Sequence, residues 1–236
     1  MKMGDDKTLI LSTVVGSRLH GTFNENSDYD FRGVFMVPLI NYLSPFKEVK
    51  DTHWIEKSGA DTDDTAHELS KFCKMCCQGN PSALEVLVGI PDTSTPIGDK
   101  LREMLPMFLS RERCYEAFRG YSRNQEKKFR DGKEVKASAG AVDRKYKYAC
   151  AHVRTLYQLL HLLKHNELIG SYQGGTLEEL RRIKEGRKSD SDIFSRIFQL
   201  EELCKEAYEK CKLPDKIDTK PIEDFICDSY LSEYER

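Results

Sequence analysis

The pattern of apolar and polar residues predicts a group of strands in the first quarter of the chain. Thr8–Val15 is a run of apolar and β-branched residues that ends at a Gly-Ser pair, and it predicts a strand. Tyr29–Val37 alternates and carries aromatic residues, which predicts a second strand. Shorter strands are predicted at Thr52–Ile55 and Asp61–Ala66. We therefore expect a sheet of about four or five strands.

Helical spacing replaces this pattern from His67 onward. Gly79-Asn80-Pro81 is expected to end one helix and begin the next. Thr176, followed three residues later by Glu179, is typical of a capping box at a helix start. The chain is expected to be helical beyond Pro91, with segments at Asp99–Arg111, Arg113–Arg130, Lys145–His165, Thr176–Glu185, Ser191–Cys211 and Ile222–Leu231. The pattern predicts an α+β fold, with a sheet-containing domain at 1–92 and a helical domain at 93–236.

Composition and charge exclude some classes of protein. The formal net charge of −2 gives no global attraction to nucleic acid or anionic membrane, so a polyanion would need a local basic patch. No apolar run approaches the ~18 residues that cross a bilayer, and we expect no membrane contact. Met1–Lys7 is polar, so a cytoplasmic protein is expected.

The eight cysteines are expected to stay reduced in the cytosol. Cys73, Cys76 and Cys77 have a spacing that could supply zinc ligands, but no second Cys or His pair follows nearby. The same spacing fits one face of a helix. We expect buried thiols here, with a metal site as the alternative.

The residues that best indicate chemistry lie between the first two strands. On an extended segment Asp28 and Asp30 are two apart, so both carboxylates are expected on one face, with Tyr29 pointing toward a core. Two such carboxylates favour a hard cation such as Mg²⁺. Gly16 allows a close backbone approach, and Ser17 offers a hydroxyl and an N–H to phosphate. The combination predicts a cleft for a triphosphate and a metal.

These residues also carry a resemblance to a known family. Gly16, Ser17, Ser27, Asp28 and Asp30 form the string G-S-x(9)-S-D-x-D, which resembles the signature of DNA polymerase beta-type nucleotidyltransferases. The longer form, GSRLHGT…NSDYDFRGVF, is similar to predicted nucleotidyltransferases associated with RNA repair and RNA ligases. Further matches are Asp63, His67-Glu68-Leu69, Lys71-Phe72, Gly79-Asn80-Pro81, Leu84-Glu85, Gly120-Tyr121, Gln125, Lys147 and Arg154. Where the family has a histidine this chain has Ala151, with His152 beside it.

The resemblance implies a polymerase-beta-like nucleotidyltransferase core at 1–92, followed by the helical half. It implies that Asp28, Asp30 and a third carboxylate bind Mg²⁺ or Mn²⁺ and are catalytic. Family register favours Asp63 as the third, while Asp61 and Asp64 are alternatives. Arg18 and Arg32 could meet triphosphate oxygens or pair with nearby acids. The expected nucleotide-binding residues are Gly16, Ser17, Arg18, Ser27, Arg32 and Lys147.

The expected function is transfer of a nucleoside monophosphate from an NTP to an acceptor hydroxyl. An RNA end is the favoured acceptor, because Arg119–Arg154 is a basic stretch with interleaved aromatics that could hold RNA. A solvated helix face is the alternative for that stretch. Nucleotidylation of a protein, as in toxin–antitoxin systems, and a non-catalytic nucleotide- or RNA-binding module are the alternative functions. The sequence leaves the base preference and the oligomeric state open.

Overall fold

The fold is described from a computed structural model of the chain. It covers residues 7–56, 63–130 and 144–234, without the side chains of residues 54–56, 63, 233 and 234. Within these residues the protein is α+β, as predicted: a mixed five-stranded sheet lies in the N-terminal part and helices follow.

The sheet has the strand order β3-β4-β2-β1-β5. Strand β2 is central, with β1 next to it; β1 pairs antiparallel with β2 and β5, β2 pairs parallel with β4, and β3 pairs antiparallel with β4. The residues from Ile10 to Val15 are all buried, which explains why this strand is a nearly continuous apolar run. The strands are β1 (Thr8–Val15), β2 (Asp30–Met36), β3 (Thr52–Glu56), β4 (Asp63–Glu68) and β5 (Ile90–Ser94).

Ten α-helices and one short 3₁₀ helix (Leu105–Phe108) lie in the described ranges. The largest apolar core joins the sheet to α3, α4, α6, α7 and α9, so both halves of the chain contribute to it. The predicted boundary after residue 92 falls inside β5, and the division into two domains stays a prediction. The helices are α1 (Gly16–His20), α2 (Ile40–Leu43), α3 (Leu69–Cys77), α4 (Pro81–Val88), α5 (Pro96–Glu103), α6 (Arg111–Arg130), α7 (Arg144–His165), α8 (Gly174–Lys184), α9 (Asp190–Lys210) and α10 (Lys220–Tyr234).

Side-chain caps set the start of α3 and α4. The Glu68 carboxylate accepts hydrogen bonds from the backbone N–H groups of Ser70 at 2.9 Å and Lys71 at 3.2 Å. The expectation that α3 begins at His67 was wrong, because His67 still pairs within β4. Asn80 caps α4, as its position between two helices predicted.

Two other expectations about element boundaries were wrong. Helix α8 begins at Gly174, with Gln173 as the N-cap, so Thr176 lies inside the helix and the capping box does not form. The chain does not become helical directly after Pro91, because Ile90–Ser94 pairs with β1 as an edge strand. Among the described helices, none is long and apolar enough to span a membrane.

Candidate active site

The turn after β1 brings a glycine against a carboxylate. Gly16 has a φ of +65°, in the left-handed region, and it opens the short helix α1. A Cβ placed on Gly16 would lie 2.2 Å from Oδ2 of Asp30. The two residues meet because Val15 pairs with Asp30 across β1 and β2. Only glycine leaves room for this contact, so the Gly-Ser turn lies directly against the first residue of the acidic strand.

The two aspartates of the motif have different backbone settings. Asp30 is the first residue of β2 and is partly buried, whereas Asp28 lies in the loop before the strand and is exposed. The predicted strand start at Tyr29 was therefore wrong by one residue, since β2 begins at Asp30. Asp28 lies outside the strand. Tyr29 does not point into a core, since it is 52% exposed and stacks with Arg18.

The third carboxylate was predicted among Asp61, Asp63 and Asp64. Asp61 lies outside the described residues. Asp64 is buried, and its Oδ1 accepts a hydrogen bond of 2.9 Å from the backbone N–H of Phe31, which fixes it to β2. Strand β4 begins at Asp63, and its parallel pairing with β2 begins at Arg32 and Thr65, so residues 30 and 63 each lie two residues before the first pair. The backbone register therefore favours Asp63, whose role stays a prediction.

The described side chains include no group of three His, Cys, Asp or Glu placed to hold a metal ion. The side chain of Asp63 is not among these described side chains. Asp28 and Asp30 supply carboxylate oxygens, the donors that Mg²⁺ and Mn²⁺ prefer, and the missing Cβ of Gly16 keeps space at Asp30. The donor set fits a hard divalent cation.

Helix α8 brings basic side chains to the same loop. Arg181 donates two hydrogen bonds to the carbonyl of Gly21, at 3.1 and 2.7 Å, and Lys184 Nζ donates to the carbonyl of Thr22 at 2.8 Å. Burial lowers the pKa of Lys184, Lys147 lowers it further, and Asp30 partly offsets this. Lys184 and Lys147 are therefore close enough to one another, and Lys184 to Asp30, to interact electrostatically.

A buried charge cluster lies behind this loop. Glu85 of α4 meets Nη1 of Arg154 from α7 at 2.5 Å, Nε2 of His20 at 3.5 Å and Nη1 of Arg32 at 3.9 Å. Burial opposes ionisation of Glu85, but Arg154, then His20 and Arg32, outweigh it and lower its pKa to about 2. Glu85 is therefore ionised in the folded protein and connects the sheet, α1 and the helical half.

His20 is held as a packing residue. It is buried, and its Nδ1 lies 2.6 Å from the carbonyl oxygen of Gly170. Burial and the Arg154 charge lower the pKa of His20 to about 4, although Glu85 and the Gly170 carbonyl act in the opposite direction. His20, the last residue of α1, is therefore neutral near neutral pH and packs the loop in place rather than exchanging protons.

A comparison with protein-family models decides the family. The model for the RNA repair pathway DNA polymerase beta family (RlaP) matches residues 2–196, which is most of the 236 residues. The chain belongs to this family. No curated protein matches it. A search of solved structures matches a nucleotidyltransferase-like protein from Exiguobacterium sibiricum, at 13% identity and a TM-score of 0.29, over 88% of this chain and 70% of that one.

Membership in the RlaP family confirms the resemblance drawn from the Gly-Ser and Asp-x-Asp motifs. It does not assign roles to single residues. Ser27 Oγ is used inside the loop, where it bonds Asn24 Oδ1 at 2.9 Å. Arg32 reaches Glu85 and, at 3.3 Å, the carbonyl of Ser82. Their nucleotide-binding roles stay predictions, as does that of Ser17.

The basic stretch of this RlaP protein is divided by the structure into exposed and buried parts. Arg123, Lys127 and Lys128 are exposed on α6, but Arg154 is buried against Glu85. Arg154 is the last residue of the predicted basic stretch, but because it is buried it cannot contribute to a surface for RNA. Residues 131–143 between α6 and α7 lie outside the described chain.

The cysteines of this RlaP protein are thiols. All eight are free, and Cys73 and Cys76 are buried on the inner face of α3, as expected from their helical spacing. Burial raises the pKa of both thiols. Cys77 is partly buried, and the positions of all three thiols on α3 fit one face of that helix.

The sequence did not indicate Lys184 or Arg181 as site residues. Arg181 lies 160 positions from Gly21 along the chain, and its only local signal is the basic end of α8. Contacts between a polar loop and a helix end that is distant in the chain leave no periodic pattern in the sequence, so a single sequence does not reveal them.

Proposed function

We propose that this RlaP protein transfers a nucleoside monophosphate from an NTP to an acceptor hydroxyl, with release of pyrophosphate. The observation that carries the proposal is the contact between Gly16 and Asp30, which puts the Gly-Ser turn against a motif carboxylate. The acceptor oxygen would form a bond to the α-phosphorus as the bond to pyrophosphate breaks. Such phosphoryl chemistry depends mainly on positioning and electrostatic stabilisation.

Asp28, Asp30 and Asp63 are the residues we assign to a divalent metal, Mg²⁺ or Mn²⁺. When bound, the ion would neutralise these carboxylates and polarise phosphate oxygens. We assign the acceptor proton to Asp63, on the strength of the family resemblance and because residues 63 and 30 each lie two residues before the first β2–β4 pair.

The basic side chains around the loop support a site for a triphosphate. Ser17 can offer its hydroxyl and backbone N–H to phosphate oxygens. Lys184 is partly buried and donates to the Thr22 carbonyl of the loop, and Lys147 is exposed and interacts electrostatically with Lys184. Negative charge accumulates on the leaving pyrophosphate, so these two cations are suited to stabilise it.

An RNA end is the acceptor we favour. The family is named for RNA repair. The exposed lysines of α6, Lys127 and Lys128, offer positive charge on a chain whose net charge is −2. Phosphates can be neutralised by such side chains without base recognition.

The test is incubation with each NTP labelled at the α-phosphate, together with Mg²⁺ or Mn²⁺ and either RNA or protein as acceptor. We expect label in RNA. Label in protein would replace the RNA acceptor by protein nucleotidylation. No label in any acceptor, with every NTP and metal, would contradict the proposal.

A further inference from the structure

Asp28 needs support that the sheet does not give it. The hydrogen-bonded register of β1 and β2 ends at Val15 and Asp30, two residues beyond Asp28. Asp28 is exposed, and its carboxylate is half of the acidic pair in the motif. Loop residues of this kind move more than strand residues unless other groups hold them.

Arg18 holds the backbone at this point. Its Nη2 donates a 2.7 Å hydrogen bond to the carbonyl of Ser27, and its Nε donates one of 3.2 Å to the carbonyl of Asp28. One planar guanidinium thus spans two consecutive peptide groups, including the peptide of Asp28 itself. This use of the fork geometry is specific to arginine.

Aromatic rings hold the guanidinium in place. Cζ of Arg18 lies 3.6 Å from the ring centroid of Tyr29 and 5.3 Å from that of Phe23. The ring of Tyr29 stacks in turn with that of Phe31, with centroids 6.3 Å apart and an interplanar angle of 19°. Tyr29 lies between the two aspartates in sequence, so the same stack fixes the residue that links them.

The loop before Asp28 is closed on itself. Ser27 N donates to the Asn24 carbonyl at 3.0 Å, Asn24 N donates to Ser27 Oγ at 2.9 Å, and Asn26 N donates to Asn24 Oδ1 at 3.1 Å. These bonds shape the turn but do not attach it to the rest of the protein. Arg181 and Lys184 hold the start of the loop at Gly21 and Thr22, and Arg18, which follows Ser17 in α1, attaches its end at Ser27 and Asp28.

We propose that Arg18 is a positioning residue that fixes the Asp28 loop against the Gly-Ser turn and so sets the metal-binding geometry. This inference rests on the proposed function. It differs from a direct phosphate contact by Arg18, because the hydrogen bonds observed go to backbone carbonyls. Arg18 acts on the metal through Asp28, so its loss is expected to weaken metal binding before it affects nucleotide binding.

The test measures Mn²⁺ binding by electron paramagnetic resonance, with no nucleotide present. The variants are Arg18→Ala and Arg18→Lys. Lysine keeps the charge but cannot bridge two carbonyls. Loss of a group that orients a metal ligand typically weakens metal affinity about 10- to 100-fold, and we expect this range for both variants. Tyr29→Ala removes only the ring that stacks on the Arg18 guanidinium, and it should weaken Mn²⁺ affinity about 2- to 5-fold.

Arg113→Ala is the matched control, since it removes one exposed positive charge from α6 far from the loop in sequence. It should bind Mn²⁺ as the wild type does, and Asp28→Asn should bind it least. The melting temperature without metal should be the same in wild type and Arg18→Lys, which keeps the test valid if Arg18→Ala folds poorly.

Wild-type Mn²⁺ affinity in Arg18→Lys would overturn the inference, as would a wild type that binds no Mn²⁺. A raised KM for NTP together with unchanged Mn²⁺ affinity would assign Arg18 to the phosphates instead. The binding measurement needs no turnover. A failure of nucleotide transfer in the wild type would therefore count against the proposed function and leave the positioning role to be decided by metal binding.

Discussion

The buried ion pair between Glu85 and Arg154 gives a stability prediction whose size follows from the structure. The two residues are 5% and 8% exposed. Loss of one partner leaves the other charge buried without compensation, at a cost of ~3–5 kcal/mol. We expect Glu85→Gln, which removes the charge with little change in volume, to lower the free energy of unfolding by that amount. For a chain of this size the melting temperature should fall by roughly 6–20 °C.

Urea denaturation at neutral pH measures this loss, and a surface pair supplies the control. Arg111 and Asp215 also form an ion pair, but the Asp215 side chain is 65% exposed. Asp215→Asn should cost less than ~1 kcal/mol. The double variant Glu85→Leu/Arg154→Met removes both charges, and its loss should be smaller than the sum of the two single losses.

The Glu85–Arg154 pair should also make the stability of the protein depend on pH. The pKa of Glu85 falls from its ordinary 4.5 to about 2 in the folded protein. The contribution of the pair is therefore present above pH 4.5 and is lost as the pH falls from there toward 2. A cost for Glu85→Gln no larger than that of Asp215→Asn would refute the argument that Glu85 joins α4 to α7.

Three further predictions concern other parts of the molecule. Gly16→Ala should destabilise the protein by ~1–3 kcal/mol, because Gly16 has a positive φ and lies against the Asp30 carboxylate. The control Gly120→Ala, inside α6 with open space around it, should not destabilise the protein. Equal denaturation midpoints for the two variants would contradict this. Burial lowers the pKa of His152 from 6.5 to about 4, so stability should fall as the pH drops through that window, and His152→Leu should flatten the fall in melting temperature; an unchanged slope would exclude His152 as its source. Lys127→Ala/Lys128→Ala should reduce the log–log salt slope of single-stranded RNA binding by up to about 1.4, measured by filter binding, and an unchanged slope would place RNA elsewhere.

Local patterns predicted the elements whose own residues determine them. The apolar run Thr8–Val15 gave both ends of β1, and the leucine spacing of α7 gave a helix within one residue at its start. In each case the spacing of the apolar residues matches the positions that are buried, on one face of the helix or along the whole strand.

Long-range contacts account for what could not be predicted. β5 consists of five exposed residues and includes Pro91, and it is a strand only because β1 lies beside it. The alternating pattern of Tyr29–Val37 puts Tyr29 at a position expected to face the core, but Tyr29 precedes β2 and stacks with Arg18 instead. A single sequence has no signal for either partner.

The candidate site divides in the same way. Gly16, Asp28 and Asp30 could be selected from the sequence because their spacing matches a family motif. Lys184 and Arg181 could not, since they meet the motif loop through backbone carbonyls some 160 residues away. Backbone carbonyls carry no residue identity, so the sequence cannot mark them as partners.

The central claim is that the motif carboxylates support nucleotide transfer, and a transfer rate tests it most directly. The measurement is the single-turnover rate of label transfer from an α-labelled NTP to RNA in Mg²⁺, for wild type, Asp28→Asn, Asp30→Asn and the control Asp215→Asn. We expect transfer by wild type and control, and none by either motif variant. Because Asp28 is exposed, the melting temperature of Asp28→Asn in EDTA should be unchanged or slightly raised. Transfer at the wild-type rate by Asp28→Asn or Asp30→Asn would contradict the account.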